Sequence, residues 1–427
     1  MADLYPFRGH RYDPAEIGDI GEVVTQPYDK ITESMRQQYL ERHPQNVVRV
    51  IKNPDYRDAS NHLNSWINTG VLRADQTQSL YPYEQVFDYE GSSLSRLGVI
   101  GLVALDDENL SVKGHEKVLT KPLEDRLNLI RANEANDGLI FTLYSDSEMS
   151  VDKALTDFTG RHEPVYELYD DYQVCHRLWQ LPESEASKAI VGAVRGKPLY
   201  IADGHHRFQT AVLYHQECVK KGWKAAARES FDKRMVALFN MESPEVKILA
   251  THRAVRNLSD FSGDGLVARL QALFEVCEHS DVGGLFNSLQ GAGRQIGLMS
   301  SNPPGIYRLS LNPKMLEDKS FMPQVSGIAR ELDVNMLHEG ILSPLLGIGA
   351  KELASQQHVD YLRDRNELVA GVRQGKYQAG FFLNPTTVEE VRTISELGEK
   401  MPQKSTDFFP KLLTGLVFMK MEIEKSF

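Results

Sequence analysis

The hydrophobic pattern of the chain alternates between two spacings, which predict strands and helices. Residues 80–89 and 97–105 are rich in strand-forming side chains and flank a glycine-containing turn, so they predict an antiparallel hairpin. Residues 165–168 and 172–179 predict a second hairpin. Other segments, such as residues 60–70, place apolar side chains at helical spacing instead. This mixture predicts an α+β fold in which helices flank mixed sheets.

One stretch combines a predicted strand and helix with a concentration of polar side chains. Between the strand-like residues 199–202 and the helical pattern at residues 208–215 lie Asp203, Gly204, His205, His206 and Arg207. A strand, a tight loop and a helix in this order gather backbone N–H groups and the positive end of the helix dipole at one point. We therefore expect the chemistry of the protein here. The alternative is a simple turn, with Arg207 as a surface charge and His206 as a helix cap.

Two segments in the first third of the chain have both a functional and a structural interpretation. Pro27 precedes Tyr28 and Asp29, and the turn either presents the phenol and the carboxylate to a pocket or only lets Asp29 cap the next helix. His115 and Glu116 are either an acid–base or metal-binding pair or part of a surface turn. The metal-binding interpretation lacks support, because these residues do not have the His-Glu-x-x-His spacing of a metalloprotease motif.

Two segments in the second half of the chain also have both a functional and a structural interpretation. Arg253 follows a predicted strand at residues 246–250, and it either adds a second arginine to the pocket of the central loop or belongs to a charged turn. Near the C-terminus, Lys404, Ser405 and Thr406 bring together donors suited to phosphate or carboxylate. No glycine-rich loop precedes them, so they are not a P-loop. They form either a lid over an anion or an arm anchored by the two phenylalanines that follow.

The composition narrows the classes of function. The chain has 427 residues and a formal net charge of −11, which argues against a general nucleic-acid-binding protein. Its three cysteines are far apart and odd in number, so neither a disulfide framework nor a structural zinc site is expected. No signal peptide and no apolar run of about 20 residues is evident. We therefore expect a cytoplasmic protein that binds neither nucleic acid nor a membrane.

The chain shows no repeats or low-complexity linkers, so we expect segments that pack against one another rather than domains joined by flexible linkers. The predicted segments are an N-terminal α+β segment at residues 1–160, a central segment at residues 161–258 around the polar loop, and a C-terminal α/β segment at residues 259–427. The last of these ends in the closing arm that carries Lys404.

Several stretches of the chain, taken in order, resemble the bacterial and archaeal domain-of-unknown-function 1015 family. The matching stretches are residues 26–29, 115–116 with 125–127, 200–207, 251–253, 332–334 with His338, and 401–411. They cover nearly the whole chain, and the Asp-Gly-His-His-Arg and Met-Pro-x-Lys-Ser-Thr blocks are its most specific parts. The resemblance implies kinship but no established activity.

The Asp-Gly-His-His-Arg block also resembles the phosphate-binding block of the ParB/sulfiredoxin-like superfamily, which includes free-serine kinases. This resemblance implies that the four residues after Asp203 hold nucleotide phosphates and that Asp203 orients or deprotonates an acceptor hydroxyl. The serine kinases use a further carboxylate outside the block, for which Asp29 and Glu116 are the candidates. The chain lacks the DNA-binding helix-turn-helix of ParB proteins and the block cysteine of sulfiredoxins. The kinase branch therefore fits best.

These resemblances imply a nucleotide-dependent phosphotransferase that acts on the hydroxyl of a small metabolite, with free L-serine as the leading candidate. ATP or ADP would be the phosphoryl donor, with Mg²⁺ as cofactor and Asp203 as a metal ligand. Arg207 and Arg253 would bind phosphate. The residues assigned to the substrate or to a lid are Tyr28, His115, Lys404, Ser405 and Thr406. A non-catalytic nucleotide- or phosphate-binding regulatory protein and a metal-assisted phosphohydrolase are the alternative hypotheses.

Overall fold

The computed structural model of the chain describes residues 3–105, 111–116, 118, 120–291, 293–325 and 327–425. The chain divides into two compact units. Unit 1 comprises Met1–Gly114, Val118–Lys247 and Phe408–Phe427, and unit 2 comprises His115–Lys117 and Ile248–Asp407. The C-terminal segment therefore belongs to the same unit as the first half of the chain.

Unit 1 is built on a ten-stranded mixed sheet. Eight strands lie side by side in the spatial order Val112–Lys113, Leu199–Asp203, Ile140–Tyr144, Lys233–Asn240, Ser92–Ala104, Ser79–Tyr89, Cys175–Leu178 and Tyr166–Tyr169. The short strands Leu4–Tyr5 and Leu181–Pro182 extend it at Ser92–Ala104 and Ser79–Tyr89. Two of the pairings are parallel and the others are antiparallel. The predicted α+β class with mixed sheets is confirmed.

Both predicted hairpins form in this sheet. Ser79–Tyr89 pairs with Ser92–Ala104 in antiparallel register as far as the turn, where Tyr89 lies opposite Ser92. Tyr166–Tyr169 pairs with Cys175–Leu178, so the second strand of that hairpin is shorter than predicted. The runs of strand-forming residues therefore located these strands well. Tyr166–Tyr169 alternates between buried and exposed residues, whereas Ser79–Tyr89 is buried along most of its length.

Helices flank the sheet of unit 1. They are Pro14–Ile17, Glu33–Arg42, Val48–Ile51, Tyr56–Asn68, Thr120–Asn133, Ser150–Thr159, Glu185–Val194 and His205–Lys220. A core cluster joins the strands to three of these helices, through Val151, Ile190 and Phe208 among others. Each such side chain contributes roughly 1.5–3 kcal/mol by leaving water, so this cluster fixes the central helix on the sheet.

The small remaining sheets of unit 1 have two strands each. They pair His10–Tyr12 with Leu72–Ala74, Ala135–Asn136 with Met419–Lys420, and Lys224–Ala225 with Ile423–Glu424. The last two of these pairs attach the C-terminal segment to unit 1.

The two units cut across the three predicted segments. The predicted boundary at residue 160 falls within unit 1, because Ile140–Tyr144 and Leu199–Asp203 are neighbours in one sheet. The boundary at residue 258 lies close to the observed passage into unit 2 at Ile248. Long-range strand pairing, which no local pattern encodes, decides this organisation.

Unit 2 contains a six-stranded sheet in which every pairing is antiparallel. Its strands follow the order Phe274–Glu278, Pro304–Leu311, Gln295–Ser301, Ala379–Phe382, His252–Val255 and Val359–Leu362. Its α-helices are Gly263–Leu270, Val282–Leu289, Lys314–Glu317, Asp333–Leu337, Ser343–Leu346, Ala350–Ser355, Arg365–Arg373 and Val388–Glu396. A core of nonpolar residues, including Leu285, Leu368 and Tyr377, packs between helices and sheet.

Two further findings bear on the sequence predictions. Arg253 does not lie in a turn after a strand, since it belongs to the buried strand His252–Val255. The chain reaches this strand after a much shorter one, Lys247–Ile248, than the run at residues 246–250 predicts. Across the part of the chain that the structure describes, no helix has the length and apolar character needed to span a membrane.

Candidate functional site

The central loop has the backbone that its sequence predicts. The strand Leu199–Asp203 ends in an irregular register, with a bulge between Ile201 and Asp203, and the helix His205–Lys220 starts directly after Gly204. Gly204 has a φ of 99°, a left-handed conformation that glycine adopts without a Cβ clash. A Cβ atom at this position would lie 3.2 Å from both the Arg207 guanidinium and Ile140. Glycine therefore lets the loop backbone and Arg207 come close together.

Arg207 and Lys411 lie on the two sides of the Asp203 carboxylate. Arg207 donates a hydrogen bond to Asp203 Oδ2 at 3.3 Å, and a second one to the Leu139 carbonyl. Lys411 Nζ lies 3.9 Å from Asp203 Oδ1. The side chains of Arg207 and Lys411 are only 10% and 6% exposed, respectively. Asp203 is thus a partly buried carboxylate between two largely buried cations.

Lys411 is positioned by a buried arginine. The Arg96 guanidinium donates to the Phe409 carbonyl at 2.9 Å and to the Pro410 carbonyl at 2.7 Å, and the Gln85 amide donates to the Lys411 carbonyl at 2.9 Å. Three aromatic rings surround the guanidinium. Burial lowers the pKa of Arg96 to about 9, so it remains charged near neutral pH. This arrangement fixes the backbone on both sides of Lys411.

A third arginine, Arg234, lies behind the loop. It is buried and donates to the Gly138 carbonyl at 2.5 Å. Burial lowers the pKa of Arg234 to about 9, with a favourable effect of Asp137 and an unfavourable effect of Arg207. Arg207 and Arg234 are therefore close enough to repel each other. Placing like charges together in a buried region is costly, and a bound anion would relieve that cost.

Tyr28 joins this site from the N-terminal segment. The Arg126 guanidinium lies over its ring at 4.2 Å, and Lys52 Nζ donates to its carbonyl at 3.0 Å. Burial, followed by the charge of Asp29, raises the pKa of Tyr28 to about 12, and the charges of Arg126 and Arg207 oppose this shift. The phenol therefore lies within electrostatic reach of the central loop, with the exposed Asp29 beside it.

These basic side chains form one group in unit 1, which we call the cation cluster. Its members are Lys52, Arg126, Arg207, Arg234 and Lys411. Asp125 pairs with Arg126, and Asp203 contacts both Arg207 and Lys411, so part of this charge is balanced. The remaining cations and the first turn of the helix His205–Lys220, where N–H groups lack intrahelical acceptors, provide a positive field. Such a field suits a ligand with several negative charges, and arginine forks match phosphate oxygens especially well.

The two histidines of the block occupy different environments. His205 is buried and packs against Gly114, where an added Cβ atom would lie 2.9 Å from His205 Cδ2. His206 is only partly buried. The two imidazoles therefore divide between core and surface, and the phosphate-binding role of each stays a prediction.

The predicted residues of unit 2 also come together. His115 Nε2 lies 2.9 Å from Thr406 Oγ1, and the His115 carbonyl accepts a hydrogen bond from the Met401 N–H at 2.6 Å. Glu116 forms a parallel bridge with Met401. Ser405 donates to the Pro402 carbonyl at 2.6 Å, so its hydroxyl stabilises the arm itself.

Arg253 lies beside the same arm in unit 2. Its guanidinium donates to the Lys404 carbonyl at 3.0 Å and to His338 Nε2 at 3.2 Å, and it lies over the Tyr361 ring at 5.0 Å. Burial lowers the pKa of Arg253 to about 10, while the charge of Glu116 favours the charged form. The structure thus distributes the predicted site residues between two groups, one in each unit.

Four of the five basic residues of the cation cluster were not predicted as site residues. Lys411 and Arg126 lie in two of the stretches that resemble the family, at residues 401–411 and 125–127, whereas Lys52 lies in none of them. Arg234 is the second residue of the strand Lys233–Asn240 and directly follows Asp232 and Lys233. No local pattern therefore distinguishes it from an ordinary surface charge at the start of a strand.

The donors of the loop fit Mg²⁺ only if phosphate oxygens supply most of its ligands. Asp203 is the carboxylate that lies at the loop, and it already contacts two cations. Within the described ranges, no group of three or more His, Cys, Asp or Glu side chains is arranged to hold a metal. Mg²⁺ characteristically binds through one or two carboxylates together with substrate phosphates, so Asp203 suits that mode.

Comparison with known proteins places most of the chain in one family. The sequence model of a family described as a protein of unknown function (DUF1015) matches residues 4–335. No curated protein matches the sequence.

Several solved structures share a slight likeness with the chain. A free serine kinase in complex with AMP is 14% identical, with a TM-score of 0.38, over 73% of this chain and 86% of the other. A conserved hypothetical protein from Pyrococcus furiosus is 14% identical, with a TM-score of 0.36, over 73% and 90%. SbnI with a C-terminal truncation from Staphylococcus aureus is 12% identical, with a TM-score of 0.34, over 73% and 85%. Likenesses of this degree carry no argument about function.

Proposed function

The chain belongs to the DUF1015 family of proteins of unknown function, and from this premise we propose that it is a nucleotide-dependent phosphotransferase. It would transfer a phosphoryl group from ATP or ADP to the hydroxyl of a small metabolite, with free L-serine as the leading candidate. The observation that carries the proposal is the cation cluster around a left-handed glycine at a helix N-terminus. Phosphoryl transfer depends mainly on positioning and charge stabilisation, which such a cluster supplies.

The proposed roles follow from the contacts of each side chain. Arg207 presents its guanidinium next to Gly204, where a phosphate could also reach the N–H groups of the first helical turn. Lys411 contributes a point charge on the other side of Asp203. Mg²⁺ bound with the phosphates would be held on the protein side by Asp203, and it would neutralise phosphate charge.

The acceptor hydroxyl needs a carboxylate that can receive its proton. Asp203 is one candidate, and Asp29 is a second in the same unit, exposed beside Tyr28 and close enough to raise the pKa of that phenol. Glu116, the third candidate, belongs to unit 2 and stays a prediction, as do the phosphate-binding role of Arg253 and the lid role of the arm. Among these, Asp29 best combines exposure with a place at the cation cluster.

Calorimetric titration of the full chain with ATP and ADP, with and without Mg²⁺, tests the first step. We expect binding that weakens as salt is raised, because it depends on several charge contacts. Incubation with labelled ATP or ADP and a panel of hydroxylated metabolites then tests transfer, which Asp203→Asn should abolish. A folded protein that binds no nucleotide under any of these conditions would sink the proposal.

The contacts of Asp203 favour a second candidate function, a non-catalytic nucleotide-binding regulatory protein. A carboxylate that already contacts Arg207 and Lys411 is less available to a substrate hydroxyl. This candidate predicts tight binding without turnover over long incubation, with Asp29→Asn and Asp203→Asn both leaving product formation at background. Release of free phosphate without transfer would instead identify a phosphohydrolase.

A further inference from the structure

A cavity of about 300 Å³ lies at one edge of the unit 2 sheet. It opens where the strands Gln295–Ser301 and His252–Val255 begin and where the strand Ala379–Phe382 between them ends. Ligand sites commonly have volumes from about 300 Å³ upwards. At about 30 Å³ for each water-sized group, the cavity accommodates a molecule of roughly ten non-hydrogen atoms.

A buried arginine lines one side of this cavity. Arg253 is 1% exposed, and its guanidinium donates to the carbonyls of Thr251 and Lys404 and to the imidazole of His338. It also lies over the Tyr361 ring, and the charge of Glu116 favours its charged form. Burial holds the pKa of His338 well below its ordinary value, so that imidazole is neutral. Three of the five guanidinium N–H groups are thus directed to neutral acceptors. A buried guanidinium whose hydrogen-bond acceptors are neutral is suited to an anionic group of a ligand.

A carboxyl group lines the other side. The backbone N–H groups of Arg294 and Gln295 and the Asn384 side chain favour the ionised form of Asp333 and so lower its pKa. Burial nevertheless dominates and raises the pKa of Asp333 to about 7. Arg294 directly precedes the strand Gln295–Ser301, which is separated from the strand of Arg253 by one intervening strand, so these two strands lie about 10 Å apart. The cavity therefore has a cationic side and a side with a carboxyl group that is protonated below neutral pH.

We propose that this cavity binds a small carboxylate-bearing molecule, with its carboxylate at Arg253 and a hydroxyl or carbonyl oxygen at Asp333. A carboxylate fits better than a phosphate, because Glu331 and Glu390 also line the cavity and would repel a second negative charge. Every residue in this proposal belongs to unit 2, so it does not depend on the phosphotransferase proposal.

The charges around Asp333 give the binding a characteristic pH dependence. Glu390 on the helix Val388–Glu396 faces it and raises its pKa further. Glu331 forms an ion pair with Arg294, so these two charges offset each other. A protonated Asp333 donates to a ligand oxygen, whereas an ionised one repels a carboxylate ligand. Since its pKa is about 7, affinity should be about tenfold higher at pH 6 than at pH 8. A ligand with an ammonium group at Asp333 would instead bind more tightly at pH 8 than at pH 6.

Ligand-observed NMR and calorimetry on the full chain, without nucleotide, provide the test. The probes are glycerate and lactate as hydroxy acids, L-serine as an amino acid, glycerol 3-phosphate and inorganic phosphate as phosphates, and glycerol as an uncharged control. We expect the hydroxy acids to bind, more tightly at pH 6 than at pH 8. Binding of phosphates in their place, an opposite pH dependence, or no binding of any carboxylate at millimolar concentration would overturn the proposal.

Variants assign the binding to the cavity. Arg253→Lys should weaken hydroxy-acid binding at least tenfold, and Asp333→Asn should retain binding but lose its pH dependence. Arg256→Met removes a guanidinium that pairs with Asp360 instead, and it should bind as the unmodified chain does. If Arg253→Lys does not fold, Asn384→Leu at the cavity wall replaces it, with the same loss expected. Unchanged affinity in a folded Arg253→Lys or Asn384→Leu variant would refute the site.

Discussion

The buried arginines of the two units differ in the groups that surround their charge. In unit 1, Arg207 and Arg234 are close enough to repel each other, and Lys411 adds a third positive charge at Asp203. In unit 2, Arg253 has carbonyl and imidazole partners, and acidic side chains line the cavity beside it. The first arrangement favours a ligand with several negative charges, and the second favours one with a single negative charge.

The difference shows that an arginine in a strand or at a loop does not by itself specify a ligand. The charges around it decide how much negative charge a site accommodates. Arg96 illustrates the third case, because its carbonyl and aromatic partners surround it completely and its role is to position Lys411. The following experiments separate these three cases, beginning with the largest expected effect.

Arg96→Met should destabilise the protein most. The change leaves the Phe409 and Pro410 carbonyls and the Gln85 side chain without their donor in a buried region, at a total cost of about 4 kcal/mol. Urea denaturation measures the loss. Arg161→Met, which removes an exposed arginine, is the matched control and should cost less than about 0.5 kcal/mol. A loss below about 1 kcal/mol for Arg96→Met would show that its hydrogen bonds to the Phe409 and Pro410 carbonyls contribute little to stability.

Arg207→Met should weaken nucleotide binding about 100-fold, equivalent to about 2.7 kcal/mol, because a guanidinium fork to phosphate is lost. Arg131→Met, on the surface of the same unit, should leave the affinity unchanged. Binding of hydroxy acids should also be unchanged in Arg207→Met if the two sites are separate. Calorimetry with each ligand compares the two affinities, and equal losses of both would contradict the distinction between the units.

Asp333→Asn should alter how stability depends on pH. An acid whose pKa rises from 3.8 to about 7 on folding binds its proton more tightly in the folded state, so stability falls as pH rises between these values. The full shift is worth at most about 4 kcal/mol, and we expect roughly half, because Asp333 is partly open to solvent.

Urea midpoints at pH 4 and pH 8 measure this effect. The unmodified chain should be about 2 kcal/mol more stable at pH 4 from this group alone, and Asp333→Asn should remove that difference. Asp264→Asn, at an exposed position in unit 2, should retain it. An identical pH dependence in Asp333→Asn and the unmodified chain would show that Asp333 titrates normally.

Gly204→Ala should have the smallest effect of the four, about 1–2 kcal/mol, because an alanine is strained at a φ of 99°. The added methyl group would also press on Arg207, so nucleotide affinity should fall modestly. Gly192→Ala provides a control of opposite sign, since this helical glycine has open space around it and alanine favours a helix by up to about 1 kcal/mol. Thermal or urea denaturation compares the two, and a neutral Gly204→Ala would remove the need for glycine in the loop.

Local features of the fold could be predicted from the sequence where local physics governs them. Both hairpins and the strand–loop–helix at Gly204 were predictable, because turn and glycine chemistry act over a few residues. The division into units was not, since Phe408–Phe427 returns to unit 1 through pairings with distant strands.

The sequence by itself determined the chemistry available to this protein. It placed Asp203, Gly204 and Arg207 in one loop, because a tight turn between strand and helix keeps neighbouring residues together. Tertiary structure alone decided which distant charges join that loop. Lys411 and Arg234 reach it because sheet pairing and the Arg96 contacts bring remote segments together, and no local pattern encodes such approaches. Electrostatic fields depend on distance in space, so the character of each site emerged only from the fold.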